Sequence, residues 1–401
     1  MPALLRRYWV AGALLVTAAC SDPQPAATET ARPAPAADTA VVRPAAPTPP
    51  PAPDTTAVHD VAAFLAGLPV SQGSELRALT AGPEWQRFAA DADRSWQQYH
   101  GTRTDKMETW ARQELDSVRR LSPVVFYPFS GPDFLNAATV FPGSSTYVLV
   151  GLEPVGSVPG AASLQNPRLF SAVKTSLWSV LNFNFFRTNS MAVDLKSVEL
   201  DGALPLILLF AARTQHQVTG VQYVQLDREG QLQPADSLAA ASKLIPGVEV
   251  QLRSAAGQEK KVYYFSADLG DWKLTQTKGA VLQYVRSLGP LTTYVKSATY
   301  LMHKPYFSQV RNLILERSRY VLQDDSGIAM KYFQPADWRF VHYGTYQKPI
   351  PMFAMYYQPV LTQAYQDSVR KPRPLPFGTG YNWRVNASNL LLATRRQTPA
   401  E

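Results

Sequence analysis

The sequence holds a single cysteine, Cys20, so no disulfide can form within the chain and a folded part must be held by its core. Long apolar runs are also missing. The longest in the later sequence, Ala203 to Ala212, is ten residues, about half of what a membrane-spanning helix needs. Charge is sparse, at 17% of residues against 46% hydrophobic, which excludes a charge-rich disordered chain and leaves ample material for burial. No G-x-S-x-G elbow occurs, and His59, His100, His216, His303 and His342 never stand in H-x-H or H-x-x-x-H spacing. These gaps remove the sequence grounds for an elbow-type serine hydrolase and for a histidine-built metal site. No turn or aromatic signature recurs at a fixed period, so a solenoid is excluded too. Neither a metal nor a resident cofactor is expected.

What the chain does have is positive charge, a formal net of +8. Most of it is C-terminal, since His303 to Glu401 carries 13 basic and 6 acidic residues. Arg311, Arg317, Arg319, Arg370, Lys371, Arg373, Arg395 and Arg396 are scattered along that stretch and do not form one helical stripe. A solvated surface accounts for them. The alternative is weak attraction to anionic lipid or polysaccharide, which salt would screen within about 10 Å. Nucleic acid is not an expected partner.

At the N-terminus, Arg6 and Arg7 precede an uncharged run of twelve residues, Tyr8 to Ala19, and Thr17-Ala18-Ala19 places small side chains directly before Cys20. Residues 1–19 read as a signal peptide, because the run is too short to span a bilayer. The segment resembles the lipobox signal of bacterial lipoproteins. That resemblance implies lipidation of Cys20 with palmitate-type acyl chains, and a cell-envelope protein that is lipid-anchored and faces the periplasm or the surface. Residues 20–58, dominated by Pro, Ala and Thr, cannot bury enough apolar surface to offset chain entropy. They read as a disordered tether, extended at about 3.1 Å per residue and reaching on the order of 100 Å.

Residues 59–122 read as a helical segment. Trp85, Phe88, Ala92, Trp96 and Tyr99 recur at helical spacing, as do Met107, Trp110, Leu115, Val118 and Leu121. From 123 to 401 short apolar runs alternate with helical stretches, beginning with Val124 to Phe129, Pro132 to Val140 and Thr146 to Val150. Further helices are expected over 167–186, 204–214, 278–288, 305–316 and 353–368. Strands are expected over 221–226, 248–252, 262–265, 292–300, 320–323, 338–346 and 389–394, with a turn near Gly257. The fold class is α/β: an N-terminal helical segment followed by a mixed sheet with helices on its faces, Rossmann-like among the possible arrangements.

Chemistry is most concentrated between Val124 and Gly156, where Ser130-Gly131-Pro132-Asp133 follows one buried-strand candidate and Glu153 closes the next. A strand, a glycine turn and an acid ending the second strand is the layout of a nucleoside-binding unit. In this limited sense it looks like the opening unit of S-adenosylmethionine-dependent methyltransferases, which implies Ser130, Gly131 and Glu153 against a nucleoside and Glu153 on its ribose. The competing reading has Ser130 cap a helix, Pro132 start it and Asp133 complement its dipole.

Two carboxylate pairs, Asp133 with Glu153 and Asp324 with Asp325, have the residue type for glycoside cleavage. Asp324-Asp325-Ser326-Gly327 equally suits a tight turn, and lacks the closing acid of a calcium loop. Phe377 to Arg384 mixes glycines with aromatics, suited to a sugar or peptide ligand or to a bent terminal strand. Two functional expectations follow. The first is an envelope module that binds a ligand or a glycan or protein partner. The second is a hydrolase or transferase on a methyltransferase-like fold, with Asp133 and Glu153 as catalytic groups near Ser130 and His303 as base.

Overall fold

Parallel strands covered on both faces are apolar along their whole length, and the central strands of this chain are of that kind. The computed structural model describes residues 55–166, 168–174, 177, 201–235 and 244–396. Cys20, the signal segment, all but the end of the expected tether and most of the helix expected over 167–186 lie outside the described residues. The strands are β1 (Val124–Tyr127), β2 (Thr146–Gly151), β3 (Gln217–Leu226), β4 (Leu232–Pro234), β5 (Ile245–Arg253), β6 (Glu259–Ser266), β7 (Leu291–Val295), β8 (Ser318–Gln323), β9 (Trp338–Gly344) and β10 (Asn389–Arg395). They form one sheet in the order β4-β3-β5-β6-β2-β1-β7-β8-β10-β9.

The middle of that sheet, β6-β2-β1-β7-β8, is parallel throughout. β10 inserts antiparallel between β8 and β9, and β5, β3 and β4 extend the opposite side antiparallel. Successive side chains of a strand point to opposite faces. Val125 and Tyr127 accordingly enter one hydrophobic cluster with Tyr147, Leu149, Tyr294 and Leu322, while Phe126 enters the other with Val148, Val150, Val295 and Val321.

Helices Phe134–Val140 and Leu204–Arg213 bury their apolar residues in the first cluster, and helices Ala280–Ser287 and Ser308–Arg317 in the second. The chain therefore winds to both sides of β1. It leaves by helix Phe134–Val140 to β2 on one side, and returns from β6 by helix Ala280–Ser287 to β7 on the other. Such a reversal beside the first strand opens a crevice at the carboxyl ends of the strands.

The N-terminal helices belong to the same core. Helix Thr55–Leu65 starts inside the stretch expected to be tether, and Val58 is already buried. Helix Pro83–Tyr99 opens with proline in its first turn and buries Trp96 and Tyr99, and Trp110 stands edge-on to Tyr343 of β9 at 5.0 Å. Among the described residues no helix is long and apolar enough to cross a membrane.

Other expectations shift locally. The expected strand 292–300 stops at Val295, and the helix expected over 353–368 divides into a 3-10 turn, Pro351–Tyr356, and a helix, Pro359–Gln366. Pro359 explains that break: it disfavours helical geometry at Gln358, which is extended there.

Candidate functional site

Four of the five parallel strands end around one cleft of about 850 Å³, within the range of small-molecule sites. Tyr127 at the end of β1, Gly151 at the end of β2, Ala267 and Asp268 after β6, and Lys296 after β7 all line it, as do Tyr381 and Trp383 from the C-terminal loop. Ser130, Gly131, Asp133 and Glu153, picked out by residue type, share this cleft. His303 is not among its lining residues. It packs against Tyr300 and Tyr356, with ring centres at 5.0 and 5.7 Å.

The turn after β1 fixes the near wall. Phe129 and Gly131 both have positive φ, 59° and 54°, so the backbone follows a Gly-x-Gly course with a phenylalanine at the first position. Left-handed geometry costs a bulky residue of order 1–3 kcal/mol and persists where the surroundings enforce it. The cap is Asp133 and not Ser130: Asp133 Oδ1 accepts from Asn136 N at 3.1 Å, and the helix begins at Phe134. Ser130 Oγ donates instead to the Gly131 carbonyl at 2.9 Å.

Asp133 does more than cap. Its Oδ2 lies 3.0 Å from Lys296 Nζ, with both side chains at most 2% exposed, and it accepts from Tyr127 Oη at 2.9 Å. Burial first, and then the Asp133 carboxylate, push the Tyr127 phenol well up, which keeps it a donor. This pair ties the turn after β1 to the end of β7 across the floor of the cleft.

Glu153 follows the end of β2, next to the turn after β1. The Tyr264 phenol donates to its carbonyl at 2.8 Å and to its Oε2 at 3.2 Å, while Oε1 has no protein donor among the described residues. Two glycines admit this carboxylate. A Cβ on Gly131 would stand 3.2 Å from Oε1, and one on Gly151 would stand 2.3 Å from Oε2 and 2.8 Å from the Gly131 Cα. Gly151→Ala is therefore expected to overpack the strand end and cost about 1–3 kcal/mol, measured as a lower urea midpoint with unchanged m-value.

The segment after β7 supplies what residue types did not reveal. Ser297, Thr299 and Tyr300 all have positive φ, 52–54°, and Ser297 and Thr299 line the cleft. The Ser297 hydroxyl is buried with no hydrogen-bond partner among the described residues. Asp324 and Asp325 hold this segment from behind: Asp324 Oδ2 accepts from Ser297 N at 2.8 Å, and Asp325 accepts from Tyr300 Oη and, at 2.9 Å, from Asn389 Nδ2.

The turn at 324–327 closes through Gly327 N to the Asp324 carbonyl at 3.2 Å. Both its carboxylates are buried and neither lines the cleft. Burial, then the neighbouring Asp325, push Asp324 up to about 6. Tyr381 hydrogen-bonds the Ser297 carbonyl at 2.9 Å and lines the cleft with Trp383, while Phe377 packs into the core; the stretch 377–384 is not a strand. No protein-family model, no curated protein and no solved structure matches the chain.

Proposed function

We propose that this chain binds a nucleoside-class small molecule, neutral or cationic, in the cleft at the carboxyl ends of its parallel strands, and that it does so as a lipid-anchored envelope protein. The observation behind the ligand class is Glu153: a buried carboxylate beside Gly131 after the second strand, with one oxygen lacking a protein partner among the described residues, suits vicinal hydroxyls. The charge of the lining sets the sign. Asp133, Glu153 and Asp268 face it against Lys296 alone, and Lys296 is paired with Asp133. That balance disfavours a phosphate and favours an uncharged or positive group. Phe129, Phe307, Phe353, Tyr381 and Trp383 offer apolar faces for a base.

A second reading, a transferase, is favoured by one observation. The strand, glycine turn and closing acid by which Val124 to Gly156 resembles the opening unit of S-adenosylmethionine-dependent methyltransferases stand together at one cleft, with Ser130, Gly131 and Glu153 all on its lining. S-adenosylmethionine fits the residues present, with Glu153 and the Gly131 turn to hold its sugar and an acidic lining to suit its sulfonium; when bound it would supply an electrophilic methyl group.

Calorimetric titration of the full chain with adenosine, S-adenosylmethionine and adenosine monophosphate tests both readings. Saturable binding of adenosine, weakened for the monophosphate, is expected. Glu153→Gln is expected to weaken it by about tenfold or more, the loss of a hydrogen bond to a charged group. Binding of S-adenosylmethionine at least about tenfold tighter than adenosine favours the transferase. If none of the three binds, or if Glu153→Gln binds as the parent does, the nucleoside reading is wrong.

A further inference from the structure

We propose a second, independent site on this protein, for a carboxylate or phosphate oxyanion, in the pocket where Arg213 and Arg119 meet helix Pro83–Tyr99. The pocket measures about 530 Å³, and its lining includes Trp96, His100, Arg119, Thr139, Arg213 and His216. It shares no residue with the cleft at the strand ends.

Arg213 is the anchor. It closes helix Leu204–Arg213, and its side chain is only 7% exposed. The guanidinium lies over the Trp96 indole at 5.4 Å, and its Nη1 sits 3.3 Å from Asp93 Oδ1. Its other edge, Nε and Nη2, is buried with no hydrogen-bond partner among the described residues. Those two nitrogens form the side of the planar fork that takes two oxygens of a carboxylate or phosphate at once.

The pocket repeats the same signal a second time. Arg119 also lines it with a buried Nε that has no partner among the described residues. The unpartnered buried atoms of the pocket are thus all donors, three nitrogens on two cations, and a buried donor without an acceptor is a costly arrangement. Behind the wall, the Lys260 ammonium is buried and donates to the Pro142 and Ser144 carbonyls, each at 2.7 Å, adding a positive charge that His216 feels. Asp93 and Glu108 on the lining offset Arg112, Arg119 and Arg213 only in part. A small oxyanion answers both the hydrogen bonding and the charge, whereas a neutral sugar would leave the cations unmatched.

Titration calorimetry of the full chain in a chloride buffer, with inorganic phosphate and with malonate as probes, provides the test. One saturable site is expected for at least one anion, tighter for phosphate if the ligand is a phosphate ester and tighter for malonate if it is a carboxylate. Arg213→Lys, which keeps the charge and loses the fork, is expected to weaken it by about tenfold or more. Arg253→Gln, at an exposed arginine paired with Glu259, should leave it unchanged. Should Arg213→Lys fail to fold, arginine-labelled parent protein replaces it: two Nε–H resonances must shift together as phosphate saturates. No saturable binding up to about 10 mM, where any specific site would be engaged, overturns the proposal. Equal losses in Arg213→Lys and Arg253→Gln, or unmoved Nε–H resonances, do the same.

Discussion

Lys296→Met lowers the stability of the folded body by about 3–5 kcal/mol at pH 7, the cost of stranding one member of a buried ion pair. The carboxylate left behind, Asp133, is 2% exposed and keeps, among the described residues, only Tyr127 and Asn136 as donors. Replacing both partners, Asp133→Asn with Lys296→Met, is expected to cost clearly less than Lys296→Met alone, because a buried pair exchanged for uncharged groups of similar volume is often close to neutral. Urea unfolding of Lys296→Met, Asp133→Asn, the double variant and the parent gives the coupling directly. A double variant as unstable as the single one would mean that Lys296 acts through packing and not through Asp133.

The location of the pair explains why such an arrangement is built in. It spans from the turn after β1 to the end of β7, the two strand ends that bound the cleft on either side of the switch, and so fixes the width of the site. In binding terms, Lys296→Met is expected to weaken adenosine through position, since Lys296 is committed to Asp133. The effect on affinity should therefore track the effect on stability in the double variant.

Much of the scaffold is legible because parallel strands announce themselves as apolar runs and their helices as periodic stripes. Thr146 to Val150 and Asn389 to Thr394 are nearly the observed strands, and the turn near Gly257 joins β5 to β6 as its spacing implies. What resists such reading is whatever depends on distant partners. Asp133 reads as a helix-end acid, and it is one; its bond to Lys296 follows only from β7 lying beside β1. Asp324 and Asp325 read as turn residues, and they are; their burial behind Ser297 and Tyr300 depends on β8 lying beside β7.

Phe129 hides a left-handed turn because phenylalanine is not the residue that such geometry selects. His303 shows the converse. Its residue type suggests a base, but its ring fills a space between Tyr300 and Tyr356, set by a 3-10 turn where a continuous helix was expected. Arg213 and Arg119 carry no local signal at all. They matter through what surrounds the guanidinium, and a sequence pattern does not report that.

Acidification offers the other large effect, because buried groups of opposite response share this fold. Burial, with Lys260 nearby, brings His216 down to about 4, and burial, with Lys331 and Arg311 nearby, does the same for His303. An unfolded histidine takes up its proton near 6.5, so below that pH the unfolded chain binds more protons and stability falls until about pH 4. Each histidine accounts for about 3 kcal/mol over that window.

Asp324 works the other way. Its folded form binds a proton below about 6 and its unfolded form only near 4, so acidification across that range restores about 3 kcal/mol. The expected net result is a loss on the order of 3 kcal/mol between pH 7 and 4, steepest between about pH 5 and 6, where the unfolded histidines are protonated and the folded ones are not. His303→Phe, which keeps an aromatic ring beside Tyr300, should flatten the curve, and Asp324→Asn should steepen it below pH 6. Urea midpoints taken at half-unit pH steps resolve the two slopes, and a parent protein whose stability is flat or rising on acidification from pH 7 would show that the buried histidines titrate as they do in the unfolded chain.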